Sequence, residues 1–589
     1  MIAQTQTVST SAQPALERAE LTLPKGAEVL ITALIQEGVD TIFGYPGGAV
    51  LHIYDELWRA RAHISHFLVR HEQGAVHMAE GYARSSGRVG VALVTSGPGA
   101  TNAITGIANA YMDSTPIVVI TGQVPIPLIG TDAFQEVDTV GITRPCVKHN
   151  YLVRDVRDLG AVVHEAFHLA TSGRSGPVVI DIPKDVSSAR CAYSRFDNIR
   201  FPLRTDRMEP NQAAITKAAS AILASKRPVL YVGGGIICSG AAPALLEFAE
   251  ELQLPVTPTL MGLGGFPTSH PLCLNMLGMH GTYAANMAVA ESDLLIAVGV
   301  RFDDRVTGKL ATFAPRARVI HIDIDAANIG KNVASSLSLA ADAKKALSAL
   351  IKSVRECSSE ERRTSVERRD AWWEQIHSWQ RSQPLRYDGS KDEIKPQIVI
   401  QTLHQLTKGE AIIVTDVGQH QMWAAQFYPF TRTRQWITSG GLGAMGFGLP
   451  AAIGAQRAFP DQLVVAVVGD GGFQMTNQEL AMAIQYDLPI KVLIMNNGYL
   501  GMVRQWQEMF YDRTYSEVDL SVAPDFFKLA EAYGAGAFRA THPNELPGVL
   551  KAALSYKGVA VIDVVVSKEE NVFPIVPAGA NARDMIVQS

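Results

Sequence analysis

The chain has 589 residues, 47% of them apolar and 19% charged. At roughly 100–200 residues per domain this length predicts three to four domains, and the composition excludes a wholly disordered chain. Lys and Arg number 52 against 57 Asp and Glu, a net charge of −5. Binding to nucleic acid or an anionic membrane by bulk charge is therefore disfavoured. The five cysteines (Cys146, Cys191, Cys238, Cys273 and Cys357) include no CxxC pair. That argues against a disulfide framework or a thiolate zinc site and fits a reducing, cytoplasmic setting.

In chain order, residues 1–20 lack the apolar stretch of a secretory signal and read as a flexible N-terminal tail. No run of 18 uninterrupted apolar residues follows anywhere, so no membrane span is expected. Residues 21–190 repeat a strand–helix rhythm, clearest in GRVGVALVTSGPGATNAITGIANAYMDSTPIVVITG (87–122). There VGVALVT reads as a strand, SGPG as a tight loop, ATNAITGIANAYM as a helix and PIVVITG as a second strand. Strands without polar alternation, joined through a helix, predict a parallel sheet covered on both faces.

Residues 191–210 break the rhythm and read as a linker. A second series, 211–354, contains RPVLYVGGG, LPVTPTL, SDLLIAVGV and RVIHIDID. Residues 355–396 are charge-dense and read as another linker. Within it, Trp372, Ile376 and Trp379 are spaced to line one apolar face of a helix. A third series, 397–568, runs through AIIVTDVG, QLVVAVVGDGG, IKVLIMNN and VAVIDVVV. Residues 569–589 show no period and read as a C-terminal tail or flap. The expected fold class is α/β, with three doubly wound parallel-sheet domains. The glycine-rich loops TSGPGA (95–100) and TSGGLGAMG (438–446) echo each other, as a duplication of the first domain into the third would leave.

The sharpest chemical signal is GDGGFQMTNQELAMAIQYDLPIKVLIMNN (469–497). An apolar strand delivers Asp470 at its carboxyl end, where open α/β sheets bind ligands. Glycines let backbone N–H groups approach an anion. A second apolar strand ends at Asn497. Asp470 and Asn497 would then supply hard oxygens from adjacent strand ends, as Mg²⁺ prefers. A second signal is RHEQGAVHMAEGYAR (70–84), preceded by GYPGGAV. On its own, Glu72 at a helix start merely suits the helix dipole.

The GDG…NN segment resembles the signature by which thiamine-diphosphate enzymes hold the cofactor's diphosphate through a divalent metal. The resemblance adds a backbone carbonyl two residues after the Asn, at Tyr499, as third ligand. It also implies that Glu72 hydrogen-bonds the aminopyrimidine N1′, where a carboxylic acid shielded from water can share its proton. GTDAFQE (130–136), PKD (183–185), LGMHGT (277–282), RFDDRVTGK (301–309), VGQHQMWAAQF (417–427), SGGLGAMGFGLPAAIGA (439–455) and GMVRQWQ (501–507) narrow the likeness. Together they resemble the acetolactate synthase (acetohydroxyacid synthase) catalytic subunits, from about residue 24 to 580.

That resemblance implies a pyrimidine-binding first domain, a central FAD-binding domain and a third domain binding thiamine diphosphate and Mg²⁺. Gly48 would offer backbone near the reacting carbon, and Met445 would support the bent cofactor. Gln419, His420, Gly443, Gly471 and Gly472 would line its cleft. Phe134, Gln135, Lys184, Met279, His280, Met502 and Val503 would line the substrate channel. Arg305 would grip the second substrate's carboxylate. Trp506 would favour an ethyl over a methyl group, worth roughly 1–3 kcal/mol per methylene. Arg174, Gly233, Gly234, His280, Gly281, Thr282, Arg301, Asp323 and Asp342 would hold FAD. AAD at 340–342 departs from the GD of many relatives, which bears on Asp342 alone.

The activity implied is decarboxylation of pyruvate and carboligation to a second 2-keto acid, at the first common step of branched-chain amino-acid biosynthesis. The family's FAD does no net redox. Its facing domains come from different subunits, which implies a homodimer or homotetramer. Its biosynthetic members pair with a small regulatory subunit, and the chain shows no spare domain for that role. Two alternatives are a flavin-dependent pyruvate oxidase on the same scaffold and a non-catalytic cofactor-binding protein. RFDDR and the Trp506 segment argue against the first, and Glu72 with an intact metal pair against the second.

Overall fold

The computed structural model describes residues 23–193 and 209–588. The expected tail at 1–20 and most of the expected linker at 191–210 lie outside the described residues. The chain divides into two compact units, one within 1–83 and 88–202, the other within 84–87 and 203–589.

The first unit holds one sheet. Its strands are β1 (Thr41–Gly44), β2 (Ser65–Leu68), β3 (Gly90–Val94), β4 (Ile117–Gln123), β5 (His149–Leu152) and β6 (Val178–Pro183). All pairs are parallel, in the order β2-β1-β3-β4-β6-β5. Strands β3, β4 and β6 are buried along their whole length, which is why they read as unbroken apolar runs. The helices Gly26–Gln36 and Leu159–Thr171 lay Leu30, Leu34, Leu159 and Val163 into one core with Ile120 and Ile180. The SGPG stretch is only half loop, because Pro98 and Gly99 already belong to the helix Pro98–Asn102. Proline at the first helical position leaves no bonded N–H to lose.

The second unit holds two sheets. The middle one has β7 (Pro228–Val232), β8 (Val256–Pro258), β9 (Leu294–Val298), β10 (Arg318–Asp323) and β11 (Leu337–Ala340), ordered β11-β10-β9-β7-β8. Its strands alternate between two cores. Leu230, Val232, Leu294, Ile296 and Val298 face one; Val229, Tyr231, Leu295 and Ala297 face the other.

Trp372 and Ile376 belong to that second core, and Trp372 Nε1 donates to the Pro228 carbonyl at 3.2 Å. The segment expected as a linker thus contains the helices Ser359–Glu367 and Asp370–Ser382, and the latter closes one face of the middle sheet. Between these two helices, the fully buried Arg369 donates to the carbonyls of Ile222 and Leu252. Those carbonyls close the helices Gln212–Ala224 and Ala242–Leu252, so a cation sits where two helix dipoles end.

The last sheet has β12 (Ile412–Thr415), β13 (Trp436–Ile437), β14 (Val464–Gly469), β15 (Lys491–Asn496), β16 (Gly536–Ala540) and β17 (Ala560–Val565). Its order, β13-β12-β14-β15-β17-β16, repeats the first sheet's strand for strand. This repeat corrects the pairing of glycine-rich loops made from sequence. TSGPGA follows the third strand of its sheet, whereas TSGGLGAMG follows the second. The topological counterpart of TSGPGA is GDGG after β14. The counterpart of the TSGGLGAMG loop is the RHEQ turn after β2.

Residues 569–588 do not trail free of the second unit. Val572 and Ile575 are fully buried, Ile575 pairs with Ile586, and Val576 N–H donates to the Met279 carbonyl at 2.8 Å.

Candidate active site

In the first unit the expected site residues follow the carboxyl ends of β1, β4 and β6, apart from Arg174, with Glu72 just beyond β2. Glu72 opens the helix Glu72–Ser86 and is 9% exposed. Asn102, ending the helix after the SGPG turn, donates from Nδ2 to Glu72 Oε2 at 2.9 Å. The other oxygen faces Gly99, where an added Cβ would lie 3.5 Å from Oε1. A Cβ on Gly99 would also come within 2.7 Å of Thr95 Cγ2, and one on Gly47 within 2.4 Å of Thr95 Oγ1. That hydroxyl is buried and has no hydrogen-bond partner among the described residues. Gly48 faces open space. The glycines therefore let backbone close around Thr95 and Glu72 and leave one side clear.

The GTDAFQE loop leans on the same turn. A Cβ on Gly97, itself at φ +57°, would lie 2.7 Å from the Gln135 carbonyl oxygen. The Glu136 carboxylate ties the loop by accepting the N–H groups of Gly130 and Ala133. Phe134 is left 88% exposed, and Gln135 is exposed too, so neither is enclosed within its own unit. Lys184 starts a short helix at the end of β6 and is half-buried. Arg174 lies before β6, with Nε donating to Ser114 Oγ at 2.8 Å.

Below the loop, Asp181 is buried on β6 and accepts Thr121 Oγ1 at 2.6 Å and Gln123 Nε2 at 3.0 Å. Gln123 in turn donates to the Val137 carbonyl at 2.8 Å, just past the loop. Burial pushes the Asp181 carboxyl up to about 7, against the pull of its hydroxyl and amide donors. The folded form thus holds a proton that the unfolded chain has already lost above its ordinary value of 3.8. Stability of this unit is expected to fall as pH rises from about 4 to about 7 and then level off. Thermal melts across that range should show this slope in the wild type and a shallower one in Asp181→Asn.

In the second unit, Asp470 follows β14 and Asn497 follows β15, and the two strands are direct neighbours. Asp470 is buried; Oδ1 accepts Gly471 N–H at 3.0 Å and Oδ2 accepts Gly498 N–H at 2.7 Å. Burial still pushes its carboxyl up to about 6, outweighing those two bonds. Asn497 Oδ1 accepts Tyr499 N–H at 3.0 Å, and Nδ2 donates to Gln419 Oε1 at 3.4 Å. The His420 ring lies over Gly418 and Gly469, where an added Cβ would be 3.0 Å away. Its Nε2 is buried with no hydrogen-bond partner among the described residues, and burial pushes the imidazole down to about 4.

Met445 sits on the loop after β13, between Gly443 (φ +70°) and Gly446 (φ +87°), with its Cε 3.7 Å from a Cβ added to Gly471. Buried Asp416, at the end of β12, pins that loop by accepting the N–H groups of Gly446 and Gly448. It also fills the space a Cβ on Gly472 would need.

A second cluster joins Met279, His280, Arg305 and Trp506. Met279 N–H donates to the Arg305 carbonyl at 2.7 Å. The Arg305 guanidinium lies 5.8 Å above the Trp506 ring. His280 is buried beside the Pro574 carbonyl, and burial pushes it down to about 4. Met502 packs partly into the core of the last sheet, while Val503 is exposed.

Gly233, Gly234, Arg301, Asp323 and Asp342 all stand at carboxyl ends of the middle sheet. Gly233 permits close backbone packing, since a Cβ there would lie 2.3 Å from the Gly299 oxygen. Asp323 Oδ1 accepts Asp325 N–H and Oδ2 accepts Asn328 Nδ2. Arg301 is ion-paired with Asp303. Asp342 caps the helix Ala343–Arg355. Gly281 sits against Leu277 with no room for a side chain, and Thr282 caps the helix Tyr283–Glu291.

Family models for thiamine pyrophosphate enzymes match all three sheet regions: the N-terminal TPP binding domain over residues 24–142, the central domain over 215–350 and the C-terminal TPP binding domain over 416–564. Acetolactate synthase isozyme 3 large subunit of Escherichia coli is 50% identical over 95% of this chain and 98% of its own. The chain belongs to the acetolactate synthase large subunits, within the thiamine pyrophosphate enzymes. Acetolactate synthase 1, chloroplastic, of Nicotiana tabacum is 49% identical over 96% of this chain and 85% of its own. The acetolactate synthase large subunit of Lactococcus lactis is 48% identical over 95% and 96%.

Thiamine diphosphate carries a diphosphate, and the donor set after β14 and β15 would fit a divalent cation beside it. It offers one buried carboxylate, one amide oxygen and backbone carbonyls, a set that phosphate oxygens and water could complete around a divalent cation. The buried His420 Nε2, with no partner among the described residues, is a further polar atom such a group could engage. Among the described residues no three His, Cys, Asp or Glu side chains converge on one point. Sequence reading missed Asn102, Asp416 and Gln505. Asp416 had a visible signal, an acid at a strand's carboxyl end in VTDVG; the other two did not.

Proposed function

We propose that this chain catalyses decarboxylation of pyruvate and joins the two-carbon product to a second 2-keto acid. Pyruvate as acceptor gives 2-acetolactate, and 2-ketobutyrate gives 2-aceto-2-hydroxybutyrate. The observation that carries the reading is the pair of half-sites: a shielded Glu72 with one oxygen committed to Asn102, and Asp470 with Asn497 on neighbouring strands. Thiamine diphosphate, when bound, supplies the electron sink that lets carbon dioxide leave from a keto acid.

The chain's own residues do the rest. Asn102 holds Oε2 of Glu72, leaving Oε1 to exchange a proton with the coenzyme's pyrimidine ring. Asp470, Asn497 and the Tyr499 carbonyl hold Mg²⁺ against the diphosphate. Met445, Gln419 and His420 line the same cleft. Arg305, stacked over Trp506, receives the carboxylate of the acceptor, and the indole limits its alkyl group. The Arg305 backbone is bonded to Met279, whose carbonyl is tied to Val576.

The carboxyl ends of the middle sheet suit FAD, with Asp323 and Asp342 at adjacent strand ends and close-packed glycines after β7. Open Gly48 and exposed Phe134 support a site completed by a second copy, in a homodimer or homotetramer. A separate small regulatory subunit and a cytoplasmic setting complete the proposal; no helix among the described residues is long and apolar enough to cross a membrane. The test is purified chain with thiamine diphosphate, Mg²⁺, FAD and pyruvate, scored for acetolactate with and without 2-ketobutyrate. Acetolactate absent whenever thiamine diphosphate is omitted, and formed when it is present, is the expected outcome.

A further inference from the structure

Three side-chain amides run in series from the metal site to the C-terminal segment. Asn497 Nδ2 donates to Gln419 Oε1 at 3.4 Å. Gln419 Nε2 donates to Gln505 Oε1 at 2.9 Å and to the Glu570 carbonyl at 3.0 Å. Gln505 Oε1 accepts Val572 N–H at 2.9 Å, and its Nε2 donates to the Val572 carbonyl at 3.0 Å. All three amides are buried, and so is Val572.

An amide side chain can turn end for end, exchanging its oxygen and nitrogen. Backbone cannot: the Val572 N–H only donates and its carbonyl only accepts. Val572 therefore fixes which end of Gln505 is oxygen. Gln505 and the Glu570 carbonyl then require Gln419 to present Nε2 to them and Oε1 to Asn497. That acceptor holds the nitrogen of Asn497 and turns its oxygen the other way, toward the Tyr499 N–H and the metal position.

Gly501 makes room for the relay. A Cβ there would lie 2.2 Å from Gln419 Oε1 and 2.6 Å from Asn497 Nδ2. Gly501 opens the helix Gly501–Phe510, and its φ is not positive, so helix geometry alone does not call for glycine. Glu570 is itself held by Lys395 Nζ at 2.8 Å and Gln397 Nε2 at 2.9 Å, which anchors the far end.

We propose that the backbone of Glu570–Val572 orients the metal-ligating amide of Asn497 through Gln505 and Gln419, with Gly501 leaving the space the relay needs. Gln505 and Gly501 are positioning residues; neither touches the metal. The inference rests on the proposed Mg²⁺ site, so wild-type chain that binds no Mg²⁺ would sink that site rather than the relay.

The experiment titrates Mg²⁺ into full-length chain saturated with thiamine diphosphate, read by intrinsic tryptophan fluorescence. Gly501→Ala, Gln505→Met and, as a neighbouring control outside the relay, Gln507→Met are compared. Both relay variants are expected to weaken Mg²⁺ binding by about 10–100-fold, the usual scale for groups that orient a ligand. The double variant should lose little more than the worse single one, because both break the same series. Gln507→Met should bind as the wild type does. Wild-type Mg²⁺ affinity in Gly501→Ala would overturn the proposal, whatever its melting temperature. Additive losses in the double variant would overturn it as well. Should Gln505→Met fail to fold, the Gly501→Ala titration decides alone.

Discussion

Glu72→Gln is expected to lower acetolactate formation by roughly 10²–10⁴-fold, the range a positioned proton-transfer group supplies. The substitution is nearly isosteric. It keeps an oxygen to accept from Asn102 Nδ2 and keeps the helix start at residue 72. What it removes is an oxygen that can take and return a proton beside Gly99. Mg²⁺ binding should be unchanged, because Asp470 and Asn497 belong to the other unit. Measured under saturating coenzyme, the loss should fall on kcat. Unaltered acetolactate production by Glu72→Gln would mean that the carboxyl moves no proton.

The second large effect is expected at Asp470. Asp470→Asn should cut activity by roughly 10²–10³-fold, the several kcal/mol of charge stabilisation a bound cation contributes. Its effect on the cofactor-free chain should run the other way. Burial raises this carboxyl above its ordinary range despite two backbone donors, so at pH 7 the ionised group costs folding free energy. Without metal, Asp470→Asn should melt no lower than wild type at that pH. A structural acid would show the opposite pattern: a lower melting temperature and activity rescued in proportion to folded chain.

The two variants also test the proposed assembly. If each site takes Glu72 from one copy and Asp470 from another, a mixed dimer carries one site with both substitutions and one intact site. Co-refolding Glu72→Gln and Asp470→Asn chains in equal amounts should then restore about a quarter of wild-type activity, as expected for random C2 dimers. Sites built within single copies would restore none.

Much of this fold is legible in the sequence wherever a strand is buried on both faces. VGVALVT, LLIAV and VVAVVG are unbroken apolar runs because helices cover each side. The edges are not legible in that way. SHFL, HNYL, LSLA and GAFRA are half-exposed strands at sheet margins, and only tertiary pairing makes them strands. The C-terminal segment has no periodicity because side-chain amides and isolated backbone pairs hold it, not a helix or ladder. The same contrast holds at the site. Asp470 and Asn497 announce themselves by standing at the ends of apolar strands. Asn102 and Gln505 look like ordinary helix residues, since their roles come from groups 30 and 67 positions away in the chain. TSGPGA and TSGGLGAMG are alike in sequence without being counterparts in the fold, because short glycine motifs recur in many turns while strand order does not.

The most direct measurement is a carbon balance on the purified chain with thiamine diphosphate, Mg²⁺, FAD and pyruvate under air. Carboligation consumes two molecules of pyruvate for each carbon dioxide released and takes up no oxygen. One pyruvate per carbon dioxide, with matching oxygen uptake, would instead identify a flavin-dependent oxidation and contradict the assignment of Arg305 and Trp506 to a second keto acid.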